Sequence, residues 1–146
     1  MMLLRNELQT ALQDVEVACL EVADGHDGAV GILAAADPLA ATLRELARAR
    51  RAAAERLAGC IRQQGDLPAE PDADLETARE LAARVLAALS PDQHHTVAAE
   101  RAAAEGDLVS LAEAVLGQDA LTGEARLLVE EIRNDAAQAQ QRLAGD

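Results

Sequence analysis

The chain has 146 residues, half of them apolar, and contains no Phe, Trp, Tyr or Lys. Alanine supplies roughly a quarter of the residues, far above its usual share, so Leu, Val and Ile must fill any core and an all-α fold is predicted. The formal net charge of −13 excludes nucleic acids and anionic membranes as good partners, because their phosphate groups repel an acidic chain.

The N-terminal stretch MMLLRNELQT contains no apolar run long enough for a signal peptide or a membrane span. We therefore expect a cytoplasmic protein that makes no membrane contact. The two cysteines, Cys19 and Cys60, are expected to be reduced and buried, since a free cysteine behaves as a small apolar residue.

The first predicted helix extends from about residue 4 to residue 36. Three glycines interrupt it within the stretch CLEVADGHDGAVGIL, at Gly25, Gly28 and Gly31. Glycines three residues apart share a helix face, where they suit a close helix neighbour, a functional hinge or a contact between subunits. Apolar or small residues recur along this helix in alternating steps of four and three, as in an amphipathic helix: Leu8, Leu12, Val15, Cys19, Val22, His26, Ala29 and Leu33.

Asp37 and Pro38 predict a turn into the second helix, with Asp37 as the N-cap and Pro38 at the first helical position. The second helix is expected over residues 39–64 and ends at Gly65, a candidate for the left-handed conformation. The stretch GDLPAEPDAD then reads as an acidic linker. Further helices are predicted over residues 75–89, 92–116 and 121–143.

These helices predict one domain over residues 1–146, a ferritin-like four-helix bundle. Tight turns make the first two long helices antiparallel neighbours, and likewise the last two. The middle connection contains the short helix at 75–89, which at 1.5 Å per residue covers about 22 Å. That length predicts a crossover connection that returns the chain along most of the bundle.

Four stretches resemble an uncharacterised bacterial branch of the ferritin-like superfamily, over about residues 8–143. CLEVADGH resembles its first-helix signature, a Cys-Leu pair followed by acids and Gly-Tyr, although His26 stands where the branch has Tyr. ADPLAATLRELARARRAAAERLAGCIRQQGDLP resembles its second helix, and AAERAAAEGDLVSLAEAVL and LLVEEIRNDAAQAQQRL resemble its third and fourth more weakly. The resemblance implies the bundle and a role in stress or stationary phase, without a known activity. The histidine often found on the last helix of this branch is missing here.

The metal motif of ferritin-like proteins is absent from the sequence. A di-iron site of that type needs a Glu from each of two helices and a Glu-x-x-His from each of the other two. No Glu-x-x-His occurs in this chain. Among the three histidines, only His26 is placed to point inward, and His94 and His95 are expected to be exposed near a helix start.

A belt of polar side chains is predicted around the middle of the bundle. The simplest interpretation is that its arginines pair with its carboxylates and that His26 hydrogen-bonds one of them, because buried charge has to be matched. Two arginines would oppose a dication, so no metal or other cofactor is expected. The predicted belt consists of Asp24, His26, Arg50, Arg101, Glu105 and Glu131.

Two alternatives for the polar residues stay open. One is a carboxylate-rich site for iron or manganese, and the other is contact with a partner protein. A third arrangement would hold an apolar ligand in the core. The candidate metal ligands are Asp24, His26, Glu55, Glu105 and Glu131.

No arrangement of a nucleophile with a base can be recognised, so the chain is predicted not to be an enzyme. The leading hypothesis is a non-catalytic ferritin-like bundle that acts by forming a homo-oligomer or by binding a helical protein partner. Its Ala- and Gly-rich helix faces suit such close contact. The alternative is a divergent metal-binding or ferroxidase-like protein.

Overall fold

The computed structural model describes residues 2–65 and 93–145. These two ranges are helical throughout apart from turns and contain no strand, which confirms the all-α prediction. The predicted short helix at 75–89 lies outside the described residues. The four described helices are α1 (Met2–Val30), α2 (Pro38–Gln63), α3 (Gln93–Leu116) and α4 (Gly123–Ala144).

The bounds of α2, α3 and α4 agree with the predictions to within two residues, but α1 ends at Val30, six residues earlier than predicted. The chain forms turns just beyond Val30, and the Gly31 N–H donates to the Gly28 carbonyl over 3.2 Å. Bonds to the third preceding residue are typical of a helix end, and glycine has low helix propensity. The last glycine of the CLEVADGHDGAVGIL stretch therefore follows the helix instead of lying inside it.

The predicted helix ends of α2 are confirmed by their hydrogen bonds and dihedral angles. The Asp37 carboxylate accepts the Leu39 N–H over 2.9 Å, and Pro38 occupies the first helical position. At the other end, Gly65 has φ +85°, the left-handed conformation that glycine adopts without a steric penalty. The sequence around the turn and the exit therefore fixes where α2 begins and ends.

Side-chain pairs define the directions of the helices. Asp37, at the N-terminal end of α2, pairs with His94 at the N-terminal end of α3, and further along Arg50 of α2 pairs with Glu105 of α3. The helices α2 and α3 therefore run in the same direction. It follows that the C-terminal end of α2 and the N-terminal end of α3 lie at opposite ends of the bundle.

The buried apolar residues form two clusters, one towards each end of the bundle. Leu12, Leu57 and Leu108 belong to the first cluster, and Leu43 and Leu143 belong to the second. On α1, α2 and α3, buried polar residues separate the positions of the two clusters. No helix within the described ranges is both long enough and apolar enough to cross a membrane.

Candidate functional site

The centre of the bundle contains a carboxylate that is bound by two other helices. The Arg50 Nε donates to both Glu105 oxygens, over 2.7 and 3.1 Å. The His26 Nε2 lies 3.4 Å from the second of these oxygens. All three residues are at most 2% exposed, and Arg101 beside them is 5% exposed. We call His26, Arg50, Arg101 and Glu105 the buried polar cluster.

These polar residues occupy positions within the apolar repeat of their helices, so their side chains point into the core. His26 lies between the core residues Val22 and Ala29 of α1. Glu105 lies between Ala102 and Leu108 of α3 in the same way. Since residues three and four apart share a helix face, a polar residue at such a position has to enter the core with its neighbours.

Arg101 explains why the chain has a glycine at position 25. The Arg101 guanidinium lies against the Gly25 backbone, where a Cβ would overlap the Nη1 atom. The Arg101 Nε is 2.9 Å from a carboxylate oxygen of Glu100. Gly25 therefore provides the space that a buried arginine needs beside α1, which is the close approach expected of this glycine.

His26 is held as a neutral imidazole. Burial lowers its pKa below 6.5, and the hydrogen bond to Glu105 only partly opposes this effect. Because a carboxylate can only accept, the proton is assigned to Nε2, which donates to Glu105. The Nδ1 atom is left as an acceptor that has no hydrogen-bond partner within the described part of the chain.

Glu105 is held as a carboxylate. Burial raises its pKa, but the hydrogen bonds from His26 and Arg50 and the charge of Arg50 together outweigh burial and leave the pKa below its ordinary value. The ionised Glu105 and the guanidinium of Arg50 therefore compensate each other's charge inside the bundle.

Both cysteines are free and buried, as predicted. Burial raises the pKa of the Cys19 thiol to about 12, and burial also raises the pKa of Cys60. A thiol is a poor nucleophile and a poor metal ligand compared with a thiolate. Neither cysteine therefore adds a reactive group to the site.

Three predicted members of the polar belt or of the metal set lie outside the buried centre instead, Asp24 half-buried and the other two exposed. Asp24 pairs with Arg51 over 2.7 Å, and Glu131 pairs with Arg56 over 3.1 Å. Glu55 is exposed on α2. Asp24 lies level with the predicted belt but two positions before His26, about 200° around the helix. Glu131 lies level with Arg56, six residues beyond Arg50 on α2, so it is about 9 Å from the belt along the bundle as well as on its outer side.

The metal-ligand set is consequently not brought together. Of the five candidates, only His26 and Glu105 are in contact. Within residues 7–65 and 93–145, whose side chains the structure describes, no group of three or more His, Cys, Asp and Glu side chains is placed to hold a metal ion. The structural interpretation of the belt is supported for His26, Arg50 and Glu105, which pair with one another.

His94 was predicted to be exposed on the surface, but it is partly buried and pairs with Asp37. Its Nδ1 lies 2.8 and 2.9 Å from the two Asp37 oxygens, and its side chain is only 33% exposed. The hydrogen bond from His94 is the main cause that holds the pKa of Asp37 below its ordinary value. His95 is exposed, as expected, and its ring contacts that of His94 edge-on at 5.5 Å.

Comparison of this chain with protein-family models, curated proteins and solved structures finds no match. The function has therefore to be argued from the geometry of the site itself. That geometry consists of a neutral imidazole, an ionised carboxylate and two guanidinium groups enclosed between apolar layers. Such an arrangement sets the positions of three helices relative to one another.

Proposed function

We propose that this protein is a non-catalytic, ferritin-like helical bundle that acts by associating with itself or with another helical protein. The observation that carries the proposal is the pairing of Arg50 with both oxygens of Glu105. Among the described residues, Glu105 is the one carboxylate with 0% exposure, so a metal ion at this centre would have to use it. In this chain the Arg50 guanidinium occupies the position beside Glu105 that such a metal ion would need.

The directions of the helices support the ferritin-like part of the proposal. Because α2 and α3 run in the same direction, the end of one and the start of the other are separated by the length of the bundle. A crossover connection through residues 66–92, with the predicted helix at 75–89, would join these two ends. Bundles of the ferritin-like class have one such connection.

The charges of the core support a bundle that holds no metal ion at its centre. A dication about 5 Å from a buried guanidinium would be repelled by about 7 kcal/mol at an effective dielectric constant of 20. Arg50 is in contact with Glu105, and the charge of Arg101 acts on the neighbouring His26. A metal ion at Glu105 would have to overcome both repulsions.

The first experiment combines native mass with elemental analysis of protein purified without chelator. We expect an oligomer by light scattering, or a helical partner recovered from the host, with metal far below one ion per chain. A protein that is monomeric at every concentration and retains no partner would contradict association.

The metal-binding alternative makes a different prediction for two glutamates. Stoichiometric iron or manganese that is lost in Glu105→Ala but retained in Glu131→Ala would establish an ion in the core. Glu131 is the control because it lies on the surface, paired with Arg56. We expect neither variant to change the metal content.

A further inference from the structure

Leu127 on α4 is the one large apolar side chain that is strongly exposed in the described part of the chain, at 67%. A single exposed leucine needs no special explanation by itself. The neighbouring helix α2, however, offers small residues on the same side of the bundle. Leu127 and these small residues together suggest a contact surface.

The outer surface of α2 beside α4 is lined by small residues. Ala49, Ala52 and Gly59 are spaced by three and seven residues, so they share one face of the helix. Ala49 and Ala52 are exposed, and a Cβ added to Gly59 would meet no atom within 4 Å. A side chain of a facing helix could therefore lie directly against the Gly59 backbone.

Two ion pairs fix the relative heights of α2 and α4. Arg142 pairs with Glu45 over 3.3 Å, and Arg56 pairs with Glu131 over 3.1 Å. Arg56 follows Glu45 by eleven residues and Glu131 precedes Arg142 by eleven residues, so the helices are antiparallel and in step. By the same register, Gly59 lies level with residue 128, next to Leu127.

From this register we infer that the α2/α4 face, defined by Ala49, Ala52, Gly59 and Leu127, is the surface on which a second copy of the chain docks. The inference rests on the proposed function and specifies its interface. The two copies are related by a two-fold axis that lies between them, parallel to the helices. That rotation places α2 of one copy opposite α4 of the other at an unchanged height.

The two-fold arrangement pairs each exposed leucine with a glycine. Leu127 of one copy faces the Gly59 backbone of the second copy, and the reverse contact forms at the same time. A self-complementary patch of this kind is what a two-fold dimer requires, because each residue contact occurs twice. The small side chains of Ala49 and Ala52 let the facing helices approach closely.

Two pairs of opposite charges on the α2/α4 face match under the same rotation. Arg56 comes to lie opposite Glu131 of the second copy, and Arg142 opposite Glu45 of the second copy. The net charge of −13 opposes association, but at 0.15 M salt charges more than about 8 Å apart are largely screened. Local matches then decide the orientation of the copies.

The size of the face suits a stable dimer. At 1.5 Å per residue the 22 residues of α4 extend about 33 Å, and two adjacent helices are about 20 Å wide. The face therefore offers about 650 Å² per copy, close to the roughly 800 Å² of a standard interface.

The test measures the dimer by light scattering over a dilution series. Leu127→Glu is expected to weaken the dimer at least about tenfold, since it buries a charge opposite Gly59, without changing the helical circular dichroism signal. Ala103→Glu is the matched control, because Ala103 is exposed on α3 away from this face, and it should leave the dimer intact. A Leu127→Glu protein that dimerises like the wild type would overturn the interface.

A disulfide trap tests the register independently. Ala52 precedes Arg56 by four residues and Asp135 follows Glu131 by four, so the two positions lie level and face each other across the proposed axis. A mixture of Ala52→Cys and Asp135→Cys proteins should form a cross-linked dimer under mild oxidation, whereas neither variant should form it alone. If the wild type dimerises but the mixture of the two variants gives no cross-link, the dimer uses another face. This result would refute the proposed interface and leave the proposed function standing. A chain that stays monomeric and binds no partner refutes both.

Discussion

Two arginine–glutamate pairs in this protein have similar geometry but opposite surroundings. In the centre of the bundle Arg50 lies 2.7 Å from Glu105, with side chains 2% and 0% exposed. On the surface Arg56 lies 3.1 Å from Glu131, with side chains 59% and 50% exposed. The comparison shows that distance alone does not reveal what an ion pair contributes.

The difference between the pairs is one of solvent. Water and salt screen the surface pair, and either partner is readily solvated when the other is removed. The buried pair has lost its water, so each charge depends on the other. A buried pair of this kind need not raise stability over an apolar core, but it penalises any arrangement of the helices that separates its partners.

Removal of Arg50 is expected to have the largest effect. Arg50→Ala leaves the Glu105 carboxylate buried, with His26 as its remaining partner among the described residues, and the free energy of unfolding should fall by about 3–5 kcal/mol. Urea unfolding followed by circular dichroism measures this change. Arg56→Ala serves as the control and should leave the unfolding midpoint almost unchanged. Equal midpoints for the two variants would contradict the contrast between the pairs.

Gly25 offers the next test, because it adjoins the buried cluster. In an ordinary helix interior Gly→Ala stabilises by up to about 1 kcal/mol. Gly25→Ala should instead destabilise by about 1–3 kcal/mol, since the new methyl group overlaps the Arg101 guanidinium. Gly59→Ala, where a Cβ meets no neighbour, should show the ordinary gain in dilute protein. If Gly25→Ala and Gly59→Ala were both more stable than the wild type, the Arg101 guanidinium would be able to move away from the new methyl group without loss of stability.

The pH dependence of stability offers a third test of the buried polar cluster, because His26 belongs to it and can take up a proton. Burial holds the pKa of His26 in the folded protein below its unfolded value of about 6.5, so the unfolded chain takes up the proton first. The stability that depends on neutral His26 is therefore complete above pH 6.5 and falls as the pH drops below it, by at most about 1.4 kcal/mol per pH unit.

Variants of two histidines check this slope by urea unfolding between pH 7 and pH 5. His26→Gln should remove its part of the slope, because glutamine has no proton to gain. His95→Gln is the control, since His95 is exposed at the end of the bundle, and it should retain the slope. A slope that persists unchanged in His26→Gln would assign it to other groups.

The sequence predicts the centre of this protein better than its surface. His26, Arg50, Arg101 and Glu105 interrupt apolar repeats, and the first turn together with the predicted crossover connection places them at one height, so their meeting could be predicted. The side of the helix was harder to predict for Glu131, which lies next to the core residue Ile132 and therefore faces outward. Heights depend on chain length and turns, whereas faces require the exact helical phase, which shifts by about 100° with each residue.

The contact of His94 could not be predicted in this way, because its partner Asp37 lies at the start of a different helix. Asp37 was predicted as the cap of α2, and two histidines were predicted near the start of α3, but only the common direction of α2 and α3 brings these two starts together. At the start of a helix few apolar residues precede a given position, so the apolar repeat does not indicate which way its side chain points. The pairing of Asp37 with His94 is therefore a tertiary contact without a local signal.

The smallest expected effect comes from this contact. His94→Ala removes the hydrogen bond that is the main cause of the low pKa of Asp37, so the carboxyl pKa should rise towards 3.8, which an NMR titration would follow. Asp37 keeps its bond to the Leu39 N–H, so the cap of α2 should persist and the change in stability at pH 7 should be small. The stability linked to this group is present above about pH 3.8 and is lost as the pH falls through the folded-state pKa, so the wild type should resist acid to a lower pH than His94→Ala. If the Asp37 titration were the same in both proteins, the ends of α2 and α3 would not meet in solution, and the common direction of these helices would then depend on Arg50 and Glu105 alone.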